Sequence, residues 1–322
     1  MQIKTNICYN MELLCFLNIM TADKYYVNFH KAMFDKFYPK ITGKTKRNIQ
    51  AMIKGQGYTM LSPALTLLIS SLSNFSGRSL TEMLNNRNEI ESSMSKTPYT
   101  FSHEDYDFYF SHFRNAVIPL IEELEAAGIH DFWLTDRLPK IRHKCDEMDA
   151  FLHQFNVEKL INRYKNIDNS DFTVYLCSFA KPHGIKLCGN NIISDSSYTN
   201  ETILSNVTHE VFHPAFNFET VKQHLNVLAE KSWVKEAYKN QNPNSGYYTI
   251  DGFIEEHIVE ALGIYVLVNL GINIDPIEYF KIHDEGSHVI SPHFYRFLCA
   301  NEKESSQPFE EYFIQFVETF TE

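Results

Sequence analysis

Apolar residues in the first half of the chain recur every three or four positions, which is the spacing of one face of an α-helix. Leu120, Ile121 and Leu124 show this spacing within a predicted helix over 103–127, and Gly128 supplies a stop signal. The same spacing predicts helices over 11–20, 24–37, 59–72, 79–95, 130–144 and 146–165. We therefore expect a helical N-terminal region over residues 1–167.

The pattern changes after residue 167. The segment DFTVYLCSF at 171–179 is rich in residues that favour strands, and the turn-forming sequence KPHG follows it. Residues 185–195 are then expected to form a returning strand. The sequence therefore predicts a small hairpin or sheet in this part of the chain.

Helical spacing returns after these strands. Asn200 is predicted to cap a helix over 201–213, and Pro214 is expected to end or kink this helix just after His213. Further helices are predicted over 219–238, 252–270 with Gly271 in the C′ position, 275–282, 291–300 and 308–320. The predicted fold class is therefore mainly α (α+β), with a second region over residues 168–322.

The charge balance excludes one class of partner. Lys and Arg total 29 against 40 Asp and Glu, which gives a formal net charge of −11. A protein that neutralises phosphates needs the opposite sign, so nucleic acid is not expected as a partner.

Cysteine usage and apolar segments bear on location. The six cysteines are scattered and form no CxxC pair, which indicates reduced thiols rather than a disulfide framework. Polar residues interrupt the apolar run that a secretory signal would need within residues 1–20. The apolar segment 60–72 is shorter than the roughly 20 residues that span a bilayer. We therefore expect a soluble cytoplasmic protein with no membrane span, exported only if a leader was removed.

The sequence HEVFH at 209–213 carries the clearest chemical signal. Residues four positions apart on a helix differ by about 40° around its axis, so both imidazoles can contact one metal ion. Glu210 lies about 100° round from His209 and is placed to accept a proton from a water at an open zinc position. We therefore predict that His209 and His213 bind a metal and that Glu210 is the general base.

A metal site of this kind needs a third protein ligand. Phe216 and Glu219 stand where the metzincin pattern requires Gly and His, so that pattern fails twice. On the later apolar helix, Glu256 and Glu260 lie one turn apart, and burying two carboxylates there without a cation is costly. Gly263 lies on the same face, where a missing side chain lets another helix approach. Glu219 remains the alternative third ligand.

The HEVFH segment and the later EEHIVEALG segment together resemble the gluzincin branch of the HExxH zinc peptidases. The resemblance implies a zincin-like catalytic region with one Zn²⁺, held by His209, His213 and Glu256 on two helices. It also implies that Glu210 activates the attacking water. Glu260, in place of the more usual Asp, is then the carboxylate that orients a ligand histidine.

A wider resemblance links the chain to uncharacterised bacterial proteins of predicted peptidase type with a long helical N-terminal part. The segments that carry it are NMELLCFLN at 10–18, DFTVYLCSF before the HEVFH helix, and FEEYFIQF at 309–316. These segments are spread over most of the chain.

Peptide hydrolysis also needs a donor that stabilises the oxyanion formed when water adds to the carbonyl. Our candidate is Tyr248, which lies eight residues before Glu256 and would reach the cleft from a preceding loop. The alternative is that Tyr248 is a packed or solvent-facing side chain. The other candidates are Tyr247, His283, His288 and His293, and the sequence does not choose among them.

The leading functional hypothesis is a single-zinc peptidase that acts on a peptide or protein, with the strands at 168–195 lining the cleft. The alternative from another class is a non-catalytic binding or regulatory protein that retains a zincin fold, favoured by the aromatic-rich helical first half. A third is a zinc amidase or esterase, because one metal centre can serve several carbonyl substrates. Convergence of His209, His213 and Glu256 favours a metal site over the scaffold alternative. The sequence leaves the oligomeric state open.

Overall fold

The computed structural model describes residues 3–57, 60–99, 101–165, 171–241 and 249–320. Helices account for 69% of the described residues, and the described strands form one four-stranded sheet, which confirms the predicted mainly α (α+β) class. Within these ranges, every helix is either too short or too polar to cross a membrane.

The described residues form two compact units. The sheet unit is built from Ile3–Ala150 and Asp171–Tyr198. The helical unit is built from residues 151–165 and the described part of Thr199–Glu322. The boundary predicted near residue 167 falls within 166–170, outside the described residues.

The helices of the first 152 residues follow the predicted order. They are α1 (Tyr9–Met20), α2 (Lys24–Phe37), α3 (Gly43–Gln56), α4 (Ser62–Ser70), α5 (Leu80–Asn85), α6 (Arg87–Met94), α7 (His103–His112), α8 (Ile118–Ala126), α9 (Ile129–Phe132) and α10 (Leu138–Leu152). Turns of π-helix at Phe113–Val117 and Trp133–Arg137 join α7 to α8 and α9 to α10. Gly128 separates the two joined pairs with a left-handed backbone (φ 85°), as its stop signal predicted.

The structure differs from the helical predictions at three places in this part of the chain. The helix predicted over 79–95 is divided at Asn86 into α5 and α6. The sequence analysis did not predict α3. Its buried residues, Thr45, Ile49 and Met52, do have the spacing of a helix face, but one of the three is polar and most other positions are charged or polar. The pattern also predicted a break at residue 145, but α10 continues to Leu152. The break lies further on, where Asn156 caps the next helix.

The strands form a sheet, one of the two predicted alternatives, but its pairing differs from a simple hairpin. Its strands are β1 (Ile3–Asn6), β2 (Phe172–Cys177), β3 (Ile185–Lys186) and β4 (Asn191–Asp195), in the order β1-β2-β4-β3. β2 pairs in parallel with both β1 and β4, and β3 runs antiparallel to β4. The segment predicted as one returning strand therefore contains two strands. Every residue of β2 is buried, as expected for the central strand of a parallel ladder.

Glu12, in the first turn of α1, is a buried carboxylate of the sheet unit and is 2% exposed. Its Oε2 accepts a hydrogen bond of 2.7 Å from the backbone N–H of Ser178, just after β2. Burial, with a further contribution from the charge of Asp195, raises the pKa of Glu12 to about 8. Glu12 is therefore uncharged over most of the neutral pH range.

The helical unit is organised around one long helix. Its helices are α11 (Val157–Tyr164), α12 (Asn200–Glu210), α13 (Phe218–Ala229), α14 (Ser232–Asn240), α15 (Ile250–Asn269), α16 (Pro276–Ile282), α17 (Ser291–Ala300) and α18 (Phe309–Phe320). The 20-residue α15 packs against α11, α12, α13, α14 and α17. Gly271 follows α15 with a left-handed backbone (φ 83°), as predicted. The single helix predicted over 219–238 is divided into α13 and α14.

Candidate metal centre

The helix that carries the HEVFH segment is shorter than predicted. Thr199 caps α12 through its side chain, and Asn200, the predicted cap, is the first helical residue. The helix ends at Glu210, and His213 follows in a turn whose backbone N–H donates to the Glu210 carbonyl over 3.3 Å. Pro214 disfavours helical backbone at His213, the residue before it.

Helices α12 and α15 approach each other closely at Gly263. A Cβ atom on Gly263 would lie 3.4 Å from the backbone nitrogen of His209 and 3.5 Å from its Cα. The absence of a side chain therefore lets the backbone of α15 lie directly against α12, as the position of Gly263 predicted. This contact places the carboxylates of α15 beside the imidazoles of His209, in α12, and His213, which follows α12.

Three side chains converge at this contact. His209 Nε2 lies 3.1 Å from Oε1 of Glu256, and His213 Nε2 lies 3.4 Å from Oε2 of the same carboxylate. The two Nε2 atoms lie 3.2 Å apart. One ligand atom from each residue thus falls within 4.8 Å of the other two, and the three side chains are between 14% and 20% exposed.

Two imidazoles and one carboxylate at these separations could hold a metal ion, and we compare them with the geometry of zinc. Zinc binds His nitrogen at about 2.0–2.1 Å and carboxylate oxygen at about 2.0–2.2 Å, so two ligands of a tetrahedral ion lie about 3.3–3.5 Å apart. The separations of 3.1, 3.2 and 3.4 Å are close to that value, with His209 nearer to Oε1 of Glu256 and His213 nearer to Oε2. Two imidazoles and one carboxylate also leave the fourth position of a tetrahedron open.

Glu260 contacts the Nδ1 atom of His209, the ring nitrogen that faces away from Glu256. Its Oε2 accepts a hydrogen bond of 2.6 Å from Nδ1 of His209. Burial alone raises the pKa of Glu260, but the hydrogen bond from His209 and the charge of that imidazole outweigh it and lower the pKa. The glutamate at this position therefore reaches its histidine, and it fixes the tautomer that leaves Nε2 free as a metal ligand.

Glu255 holds the second imidazole in the same way. Its Oε1 lies 3.3 Å from Nδ1 of His213 and accepts a hydrogen bond of 2.8 Å from the backbone N–H of Ala215. The sequence analysis did not assign a role to Glu255. The signal that would have found it is the pair of adjacent carboxylates at the start of an apolar helix, because residues 100° apart can face different atoms of one cluster.

The other neighbour of Glu256, His257, is buried in the core. Both ring nitrogens of His257 face backbone carbonyls, with Nδ1 2.6 Å from Phe253 O and Nε2 2.8 Å from Ser287 O. Burial lowers the pKa of His257 to about 4. His257 is therefore a packed imidazole whose nitrogens are turned away from a ligand role.

The electrostatics of the cluster call for a positive charge at its centre. If Nδ1 of each imidazole donates to Glu260 or Glu255, the Nε2 lone pairs of His209 and His213 point at each other and at the Glu256 carboxylate. Acceptors that face acceptors need protons or a cation between them. Burial alone lowers the pKa of His213, but hydrogen bonds to Glu255 and Glu256 raise it to about 9, so protons supply that charge when no metal is bound.

Glu210, the predicted general base, is the last residue of α12 and is half-buried. No other residue in the part of the chain that the structure describes forms a hydrogen bond or ion pair with its carboxylate.

The remaining predicted site residues lie elsewhere. Glu219, the alternative third ligand, is on α13, where its side chain is 84% exposed and lies 3.7 Å from Lys222 Nζ. Tyr247 and Tyr248 lie outside the described residues. Among the other candidates for the oxyanion donor, His283 stacks on Tyr279, His288 lies against His257, and His293 lies against Trp233.

No protein-family model, curated protein or solved structure matches this chain.

Proposed function

We propose that the protein is a zinc-dependent hydrolase, and that its substrate is a peptide or protein. The observation that carries the proposal is the convergence of His209, His213 and Glu256 at separations suited to one tetrahedral ion. The carboxylates of Glu260 and Glu255 on the far nitrogens support it, because oriented imidazoles are characteristic of metal ligands.

Each residue of the metal centre has a defined role in this proposal. His209, His213 and Glu256 hold the ion, and the two flanking carboxylates keep each Nε2 directed at it. Zinc bound there would act as a Lewis acid and lower the pKa of its bound water to about 7. Glu210 accepts the proton of the attacking water and then delivers it to the leaving group.

The choice of a peptide as substrate rests on the sequence. The HEVFH and EEHIVEALG segments resemble those of gluzincin peptidases, whereas the geometry alone suits an amide or ester substrate equally well. The predicted cytoplasmic location is part of the same proposal and restricts the candidate substrates to intracellular peptides and proteins.

Metal analysis of the purified chain tests the centre directly. We expect one zinc per chain after loading and dialysis, and strongly reduced zinc in His213→Ala and Glu256→Gln. Glu278→Gln is the matched control, because Glu278 is 61% exposed and pairs with Lys281 on the surface. Substantially less than one zinc in the wild type would overturn the proposal. Full zinc retention by the Glu256 variant would contradict Glu256 as the third ligand.

Hydrolysis is tested separately on a broad fluorogenic peptide library. We expect cleavage by the zinc-loaded wild type, and loss of cleavage in Glu210→Gln with zinc content unchanged. A Glu210→Gln variant with full activity would contradict the assigned base. One zinc per chain without turnover on peptides, amides or esters would favour the non-catalytic binding or regulatory alternative.

A further inference from the structure

We propose that Glu255 is a positioning residue. It orients His213 as a metal ligand, because α12 ends before His213 and does not fix its position. The inference rests on the proposed function, since it concerns the same centre. It extends that proposal to a residue whose role the sequence pattern did not indicate.

The need for such a residue follows from the end of α12. The HExxH spacing brings two imidazoles to one ion because residues four apart share a face of a continuous helix. α12 ends at Glu210, so His213 lies three residues beyond the last helical residue. Helical geometry therefore fixes His209 but leaves the position of His213 to other contacts.

Glu255 supplies contacts on both sides of the following proline. One carboxylate oxygen, Oε1, lies 3.3 Å from Nδ1 of His213 and 2.8 Å from the backbone nitrogen of Ala215. The Glu255 side chain is 12% exposed, so these contacts are largely shielded from water. A single oxygen thus ties the His213 ring and the backbone beyond Pro214 to α15, the helix that carries the third ligand.

Lys165 also restrains this turn, as a hydrogen-bond donor where Glu255 is an acceptor. Its Nζ donates to the carbonyl oxygens of His213 and Pro214 over 2.9 and 3.3 Å. Lys165 therefore restrains the backbone of the turn, whereas Glu255 also restrains the imidazole. Loss of Glu255 would leave the ring free to rotate about its side-chain bonds and to present either nitrogen.

The test compares Glu255→Leu, which removes the acceptor, with Glu255→Gln, which keeps an acceptor oxygen but removes the charge. The surface variant Glu278→Gln is the control. Zinc affinity is measured by competition with a chelator, and the ligand geometry by the visible spectrum of the Co²⁺-loaded protein. Exchange of the Ala215 amide hydrogen is measured in metal-free protein.

We expect zinc affinity to fall roughly 10- to 100-fold in Glu255→Leu, and by less in Glu255→Gln. The Co²⁺ spectrum should change in the Leu variant, and the Ala215 amide should exchange faster in it than in the wild type. If Glu255→Leu does not fold, Glu255→Gln decides through its spectrum and its loss of affinity.

A folded Glu255 variant with wild-type affinity, spectrum and Ala215 exchange would overturn the inference. This result is distinct from failure of the proposed function. A wild type that takes up no zinc refutes the hydrolase, while Ala215 exchange still shows whether Glu255 holds the turn. A wild type that binds zinc and cleaves nothing leaves the positioning role intact.

Discussion

Glu260 accepts a hydrogen bond of 2.6 Å from Nδ1 of His209, across the contact between α15 and α12. The glutamate is one methylene longer than the aspartate more usual at this place in the family that the sequence resembles. Its reach matches the distance set by the helix contact at Gly263. The pair therefore links the spacing of two helices to the orientation of one ligand.

Shortening Glu260 should weaken metal binding. Glu260→Asp draws the carboxylate back by about 1.5 Å, the length of one carbon–carbon bond, and so breaks the hydrogen bond to His209. We expect zinc affinity to fall roughly 10- to 100-fold, measured by chelator competition. An aspartate variant with unchanged affinity would show that His209 needs no carboxylate partner.

Enlarging Gly263 should disturb the same centre from the backbone side. A Cβ atom there meets the α12 backbone at 3.4–3.5 Å, so Gly263→Ala should be tolerated. Gly263→Val adds branches that must push α12 away, and we expect a loss of about 1–3 kcal/mol in the free energy of unfolding. Denaturant unfolding of both variants checks this, with zinc affinity as the second measurement. Equal stability of the two variants would contradict the close approach.

Metal binding should stabilise the fold, because an ion held by α12 and α15 binds the native state in preference to the unfolded chain. At a free zinc concentration of 100 times Kd, the expected gain is about 2.7 kcal/mol. Thermal unfolding with zinc and with a chelator measures the shift in Tm. His213→Ala should show a much smaller shift, and an equal shift in that variant would indicate zinc binding elsewhere.

Glu12 should make the stability of the chain depend on pH. Its pKa is about 8 in the folded protein against 4.5 in the unfolded chain. Below pH 4.5 both states carry the proton. Between pH 4.5 and 8 the unfolded chain releases it and the folded protein retains it, so stability falls by up to about 1.4 kcal/mol per pH unit.

Replacing Glu12 by Gln removes this dependence. The wild type should therefore lose stability relative to Glu12→Gln as the pH rises from 5 to 8, as measured by urea unfolding at each pH. The exposed Glu104 provides the control, since Glu104→Gln should leave the pH slope unchanged. Parallel curves for the wild type and Glu12→Gln would show that Glu12 is ionised in the folded protein.

Local patterns predicted much of this fold. The spacing of apolar residues located α1, α2, α15 and α18 to within a few residues. The same kind of reasoning placed Glu256 and Glu260 on one face of α15. These features depend on residues within a few turns of each other, and such information is present in a single sequence.

What the sequence did not reveal depends on distant partners. β1 is four residues long and is a strand because Lys4 pairs with Thr173, far along the chain. The parallel pairing of β2 with β4 likewise depends on where the intervening chain runs. The role of Glu255 became visible because α12 ends early and the turn after it meets α15. No local pattern encodes these contacts.

The position of β1 in the sheet has a consequence for biosynthesis. β1 lies at the sheet edge beside β2, which begins at Phe172. At roughly 5–20 residues per second, a ribosome needs on the order of ten seconds or more to deliver that partner after β1 is made. During this interval the first strand presents unpaired backbone groups, and the nascent chain is open to non-native strand pairing.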